Sequence, residues 1–179
     1  MKRILAGLAA TLLLAVAAVA AVAEPARPVH DPLIADVKFG VLCAVAHKGQ
    51  QPAPGTLNGF IHLVDETTDF DWPERQVLPA VLGLGFGVRV KAAPDVQIPF
   101  AQIRVFRPGR EAPEYWETPI GDLGYALAFF SFDTEDELLP GRWVFEGWDG
   151  GTRLFRAEFD VVPEAEGSTE YLPCVSAIS

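Results

Sequence analysis

The sequence predicts an all-β fold, a single antiparallel sandwich, on three observations. Apolar residues recur at every second position in several short runs. Clusters of Gly, Pro and Asp separate those runs. Downstream of residue 23 no segment shows the 3.6-residue apolar period of an amphipathic helix.

The elements follow in chain order. Lys2 and Arg3 precede an uncharged run, Ile4 to Ala23, rich in Ala, Leu and Val. It ends in Ala21-Val22-Ala23, the small-x-small pattern that a signal peptidase accepts. Residues 1–23 therefore read as a signal peptide, with cleavage before Glu24 and delivery to the periplasm or the medium. A retained anchor is the rival, since about 20 apolar residues can span a bilayer. The weak apolarity of alanine and the good cleavage site favour removal, which leaves no membrane span. Residues 24–35, with Pro25, Pro28 and Pro32, read as an extended leader. Residues 36–179 read as one domain ending in a C-terminal tail.

In Val37 to Ala46 the odd positions Val37, Phe39, Val41, Cys43 and Val45 share one face. His47 to Thr56 reads as a loop, and Gly59 to Asp65 as a second strand. Glu66 to Pro79 reads as a long loop or crossover. In Leu82 to Lys91 one face carries Leu84, Phe86, Val88 and Val90 and the other carries Gly83, Gly85 and Gly87. Such glycines predict a groove, filled by aromatic side chains of this chain or by a partner. Ala101 to Phe106 is the next strand, and a polar, proline-bearing loop is expected from Arg107 to Pro119. Gly124 to Phe132 reads as a central strand and Asp133 to Leu139 as an acidic turn. Arg142 to Trp148 and Arg153 to Val162 form a hairpin around Asp149-Gly150-Gly151. About seven strands with turns between them make an immunoglobulin-like sandwich the default.

The 179 residues hold 14 basic and 24 acidic side chains, and the signal removes two of the basic ones, so the mature charge is 12 minus 24, or −12. That balance excludes nucleic acid, whose phosphates call for Lys and Arg. The only cysteines, Cys43 and Cys174, form an even pair in an exported chain and are expected to be bridged. Such a bridge would contribute at most about 4–5 kcal/mol by loop entropy.

Two stretches resemble a known family. One is Thr68-Asp69, then Gln76-Val77-Leu78-Pro79-Ala80-Val81-Leu82-Gly83-Leu84-Gly85-Phe86-Gly87. The other is Phe132-Asp133, then Glu137-Leu138-Leu139-Pro140-Gly141-Arg142-Trp143-Val144-Phe145-Glu146, continuing to Phe159-Asp160-Val161-Val162. Both are similar to a bacterial family known as domain of unknown function 3859. The resemblance implies a small β domain of uncharacterised role and brings no catalytic residues. The two cysteines depart from that family's pattern.

No catalytic constellation emerges. Neither His30, His47 nor His62 forms a pair with a recognised metal-ligand spacing, so no metal and no cofactor are expected. Ser131, Ser168, Ser176 and Ser179 lie in no nucleophile elbow. Two acidic clusters, Asp65-Glu66-Asp69-Asp71 and Asp133-Glu135-Asp136-Glu137, read as solvated turns rather than calcium loops or paired glycosidase acids. Trp72, Tyr115 and Trp116 are the candidate partner-binding residues, because exposed rings anchor proteins or stack on sugars. The expectation is a non-enzymatic module that binds a protein partner in the cell envelope. The alternatives are a carbohydrate-binding module using those aromatics, or a hydrolase using Asp69, Asp71 or Asp133 with His62.

Overall fold

The computed structural model describes residues 23–43, 47–65, 67–164, 171 and 174. The signal expected over 1–23 lies outside the described residues except for Ala23. The tail is described only at Tyr171 and Cys174. The first half of the chain forms β1 (Val29–His30), β2 (Ile34–Cys43), β3 (Gly49–Pro52), β4 (Phe60–Leu63), β5 (Trp72–Pro73), β6 (Val77–Pro79) and β7 (Leu84–Ala92). The second half forms β8 (Ile98–Phe106), β9 (Glu114–Ile120), β10 (Ala126–Ser131), a 3-10 turn at Glu135–Glu137, β11 (Gly141–Asp149) and β12 (Thr152–Val162).

Seven of these strands, β2 and β7 to β12, run six residues or more. They build two antiparallel sheets. The smaller has the order β10-β7-β2-β5, and the larger has the order β1-β12-β11-β8-β9 with β6 parallel to β12. Numbering the seven framework strands along the chain, the sheets read 5-2-1 and 7-6-3-4. This is the order of an immunoglobulin-like sandwich with an extra edge strand on the larger sheet. The short β5 pairs with β2 in the smaller sheet and the short β6 that follows it pairs with β12 in the larger.

The expected alternation holds where the framework is deepest. Phe155, Ala157, Phe159 and Val161 are buried, while Arg156, Glu158 and Asp160 are half-exposed. Those three form an ionic lattice with Arg142 and Glu146 on the outer face. Phe86 stands at the centre of the core. Its ring touches those of Phe132, Trp143, Phe145 and Phe159 at centroid distances of 5.3–5.8 Å. Burying each such side chain is worth about 1.5–3 kcal/mol. The Trp143 indole, fully buried, donates its N–H to the Leu139 carbonyl at 3.0 Å, so no polar atom of it is left unsatisfied.

The glycine face of β7 is filled from within. Gly87 pairs with Gly40 across the β2–β7 ladder. A Cβ at Gly40 would lie 2.5 Å from the Trp72 carbonyl and 3.0 Å from the Phe70 ring, and one at Gly87 would run into the Ala128 carbonyl. Both positions thus require glycine for close backbone approach. Phe70 closes that face and is itself buried.

Cys43 and Cys174 form a disulfide that joins the end of β2 to the tail across 131 residues of sequence. Tyr171 packs beside it on Trp72, with ring centroids 4.8 Å apart.

Five segments differ from the sequence expectation. Gly124 to Phe132, expected as a central strand, contains β10, which ends the smaller sheet and pairs only with β7. The stretch within 107–119 expected as a loop forms β9, an edge strand through Ile120 whose residues Trp116 and Thr118 are less exposed than Tyr115, Glu117 and Pro119. A proline that would break a central ladder is tolerated at an edge. Gly49–Pro52, expected as loop, pairs with β4 in a hairpin outside both main sheets. The 66–79 crossover carries β5 and β6, each bound to a different sheet. The 24–35 leader is extended, but Val29 and His30 pair with β12, and β2 already begins at Ile34, which is 2% exposed.

Candidate functional site

Two framework strands end the sheets on one side of the sandwich. β9 pairs only with β8, and β10 only with β7. The β3–β4 hairpin lies across this side, and a groove runs beneath it. Ile61, His62, Trp116, Leu127 and Phe129 line its whole length. The inner part is a cavity of about 100 Å³ closed by Phe60, Phe130 and Ser131. The outer part is a trough of about 380 Å³ that reaches Leu123. Leu123 is 95% exposed.

The hairpin is pinned at both ends. At its tip, Glu114 accepts a hydrogen bond from the Leu57 N–H at 3.0 Å and pairs with Arg107 at 2.7 Å. The Arg107 guanidinium is buried and stacks over the Phe130 and Trp143 rings, which fixes the direction of the pair. The Tyr115 N–H donates to the Gly55 carbonyl at 3.0 Å. At its base, the Lys48 N–H donates to the Leu63 carbonyl, and the Lys48 ammonium pairs with Asp65 at 2.6 Å. That pairing, with hydrogen bonds from Thr67, holds the Asp65 carboxyl well below the usual carboxylate range.

The same base brings two histidines together. In the hairpin register Gln50 faces His62, and His47 folds back so that its ring stacks on His62, with centroids 3.6 Å apart and planes 18° apart. The Phe60 ring meets His62 edge-on at 5.2 Å. Asp133 arrives from the other side, its carboxylate 3.8 Å from His62 Nε2. Its backbone is fixed by Glu137, whose carboxylate accepts the N–H groups of Asp133 at 2.8 Å and Thr134 at 3.1 Å. Burial pushes the His62 imidazole below its ordinary pKa and the neighbouring His47 pushes the same way. Asp133 and Glu137 oppose them. One ligand atom from each of His47, His62 and Asp133 lies within 4.8 Å of the others, and among the described residues only these form such a group.

The residues singled out in the sequence are dispersed. Trp116 lies in the groove. Tyr115, next to it in β9, points the other way and rests against Gly55. Trp72 lies on the small sheet against Tyr171. The three rings form no common platform for a sugar. Asp69 pairs with Arg89 at 3.3 Å, and Asp71 accepts the Cys43 N–H at 2.8 Å. Neither lines the groove, so of the three acids proposed to act with His62 only Asp133 reaches it. The Ser131 hydroxyl lines the inner cavity but is buried without a hydrogen-bond partner among the described residues. A nucleophile needs access to substrate and a base within hydrogen-bond reach. Sequence spacing gave no hint of the His47–His62 pair, because the hairpin that joins them has a polar, unpatterned first arm.

No family model and no curated protein matches the chain. Among solved structures the chain is similar to the crystal structure of an immunoglobulin-like protein from Pseudomonas aeruginosa. The identity is 16% and the TM-score 0.45, over 76% of this chain and 98% of that one. Among the described residues no helix is long and apolar enough to cross a membrane.

Proposed function

We propose that this protein is a non-enzymatic immunoglobulin-like module of the cell envelope whose groove receives an extended segment of a partner protein. The observation that supports this is a trough with Trp116, Leu127 and Phe129 along its length, beside the unpaired edge of β10 and ending in a side-chain-sized cavity. The inner volume of about 100 Å³ is below the roughly 300–1,000 Å³ of ordinary small-molecule sites. It suits one apolar side chain. β10 can add a strand, because its outer edge carries no ladder partner among the described residues. β9 is a poor template. Its Tyr115 N–H is already taken by Gly55, Pro119 has no N–H, and Glu117 adds charge.

The partner segment is apolar with a flanking Lys or Arg. Asp133 stands at the groove with its side chain 42% exposed, and the acidic chain as a whole draws a basic partner. Peptide display against the mature protein tests this. Enriched peptides should carry an apolar anchor beside a basic residue, and Leu127→Ser or Trp116→Ala should weaken their binding at least tenfold. Failure to enrich any peptide, or binding indifferent to both substitutions, would overturn the proposal.

A further inference from the structure

We propose that His47, His62 and Asp133 form a binding site for one divalent transition-metal ion of the zinc class. Two imidazoles and one carboxylate are a donor set that borderline divalent ions take. Calcium and magnesium prefer an all-oxygen set and are excluded by the same donors. The three ligand atoms lie within 4.8 Å of one another. Zinc bonds of about 2.0–2.2 Å in a tetrahedron place ligand atoms about 3.3–3.5 Å apart. The His47 and His62 rings are stacked, so ion binding requires His47, which is exposed, to turn off the His62 ring until its in-plane lone pair points at the ion and the spacing closes from 4.8 Å.

Hydrogen bonding does not account for the arrangement. The Asp133 carboxylate faces His62 Nε2 at 3.8 Å, too far for a hydrogen bond and close to the separation of two ligands on one ion. An ion placed between them would be bonded by His62 Nε2 and by the Asp133 carboxylate together.

The scaffold is built to hold the ligands from two directions. The hairpin ladder fixes His62, and the Glu137 cap fixes the Asp133 backbone while leaving its carboxylate 42% exposed. Glu137 is thus a positioning residue. Three protein ligands leave one coordination position open to water.

The site shares His62 and Asp133 with the wall of the groove, so its test uses metal alone, with no peptide present. Mature, disulfide-bonded protein is stripped with chelator, and zinc chloride is titrated by calorimetry. One ion should bind per chain with a saturable isotherm. His47→Ala and Asp133→Asn should each weaken binding at least tenfold, and His30→Ala, remote from the cluster, should not. Cobalt in place of zinc should give the visible bands of a four-coordinate ion, absent in the same two variants. Circular dichroism of each variant establishes that it is folded. No saturable binding by the wild type would overturn the site, and so would binding unchanged in folded His47→Ala and Asp133→Asn. Peptide binding by metal-stripped protein would be unaffected by either result, so the two proposals fail separately.

Discussion

Two hairpins of this protein, β11–β12 and β3–β4, are built on different principles. β11–β12 alternates large apolar side chains with charged ones, and each face has a role. Phe145, Phe155 and Phe159 enter the core, while Arg142, Arg156, Glu146, Glu158 and Asp160 lock the outer surface. β3–β4 has an exposed, polar first arm, Gly49 to Pro52, and belongs to neither main sheet. It is held by ties at its tip and base rather than by a buried face. The first hairpin supplies stability. The second, free of that duty, carries His62 and the roof of the groove.

The sharpest way to break this contrast is mutation in the buried hairpin. Phe159→Ala should cost about 3–5 kcal/mol, since the ring is fully buried between Phe86 and Phe145. Denaturant melts would show it as a fall in midpoint at constant slope. Loss of the bridge should come next. Cys43→Ser should cost about 2–5 kcal/mol, because it frees a tail otherwise tethered to β2. The mature wild type should show no titratable thiol without reductant.

The ionic face is tested by acid. Burial raises the Glu158 pKa, but hydrogen bonds and charge from Arg156 and Arg142 outweigh it and hold the group below its ordinary 4.5. A carboxylate depressed in the folded state stabilises above its unfolded pKa and loses that contribution as pH falls through the folded value. Stability should therefore drop below about pH 4.5. Glu158→Gln should flatten that part of the pH profile while costing about 1–2 kcal/mol at pH 7. The smallest effect belongs to the other hairpin. Gln50→Ala on the exposed arm should change stability by less than about 0.5 kcal/mol. A loss of several kcal/mol there would show that β3–β4 is part of the framework after all.

The contrast also explains what could be read from the sequence. Strands that bury one face announce themselves, and β2, β7, β8, β11 and β12 fall close to where the apolar pattern places them, while β10 was marked by its apolar run rather than by alternation. The expected count of about seven strands agrees with the framework, but one member differs. Phe60–Leu63 lies outside the two main sheets, and β9 takes its place. β9 was obscured because an edge strand needs only one partner and tolerates Pro119 and Glu117. The groove was illegible for a related reason. Gly83, Gly85 and Gly87 drew attention to a face that is closed by Leu42 over Gly85 and by the β10 backbone over Gly87, while the open trough formed at sheet edges that no period marks. His47 and His62 stand 15 positions apart, and only a polar hairpin brings them into contact. Trp116 was singled out as an exposed ring, and it does line the groove. Trp72 looked similar in sequence, but the tail carrying Tyr171 and Cys174 folds against it.

Native-state hydrogen exchange, read amide by amide, tests the central division of labour most directly. The account predicts that amides of β11 and β12 exchange only through global unfolding, whereas those of β3 and β4 exchange through a local opening several kcal/mol less costly. Equal protection in the two hairpins, with the same denaturant dependence, would contradict it.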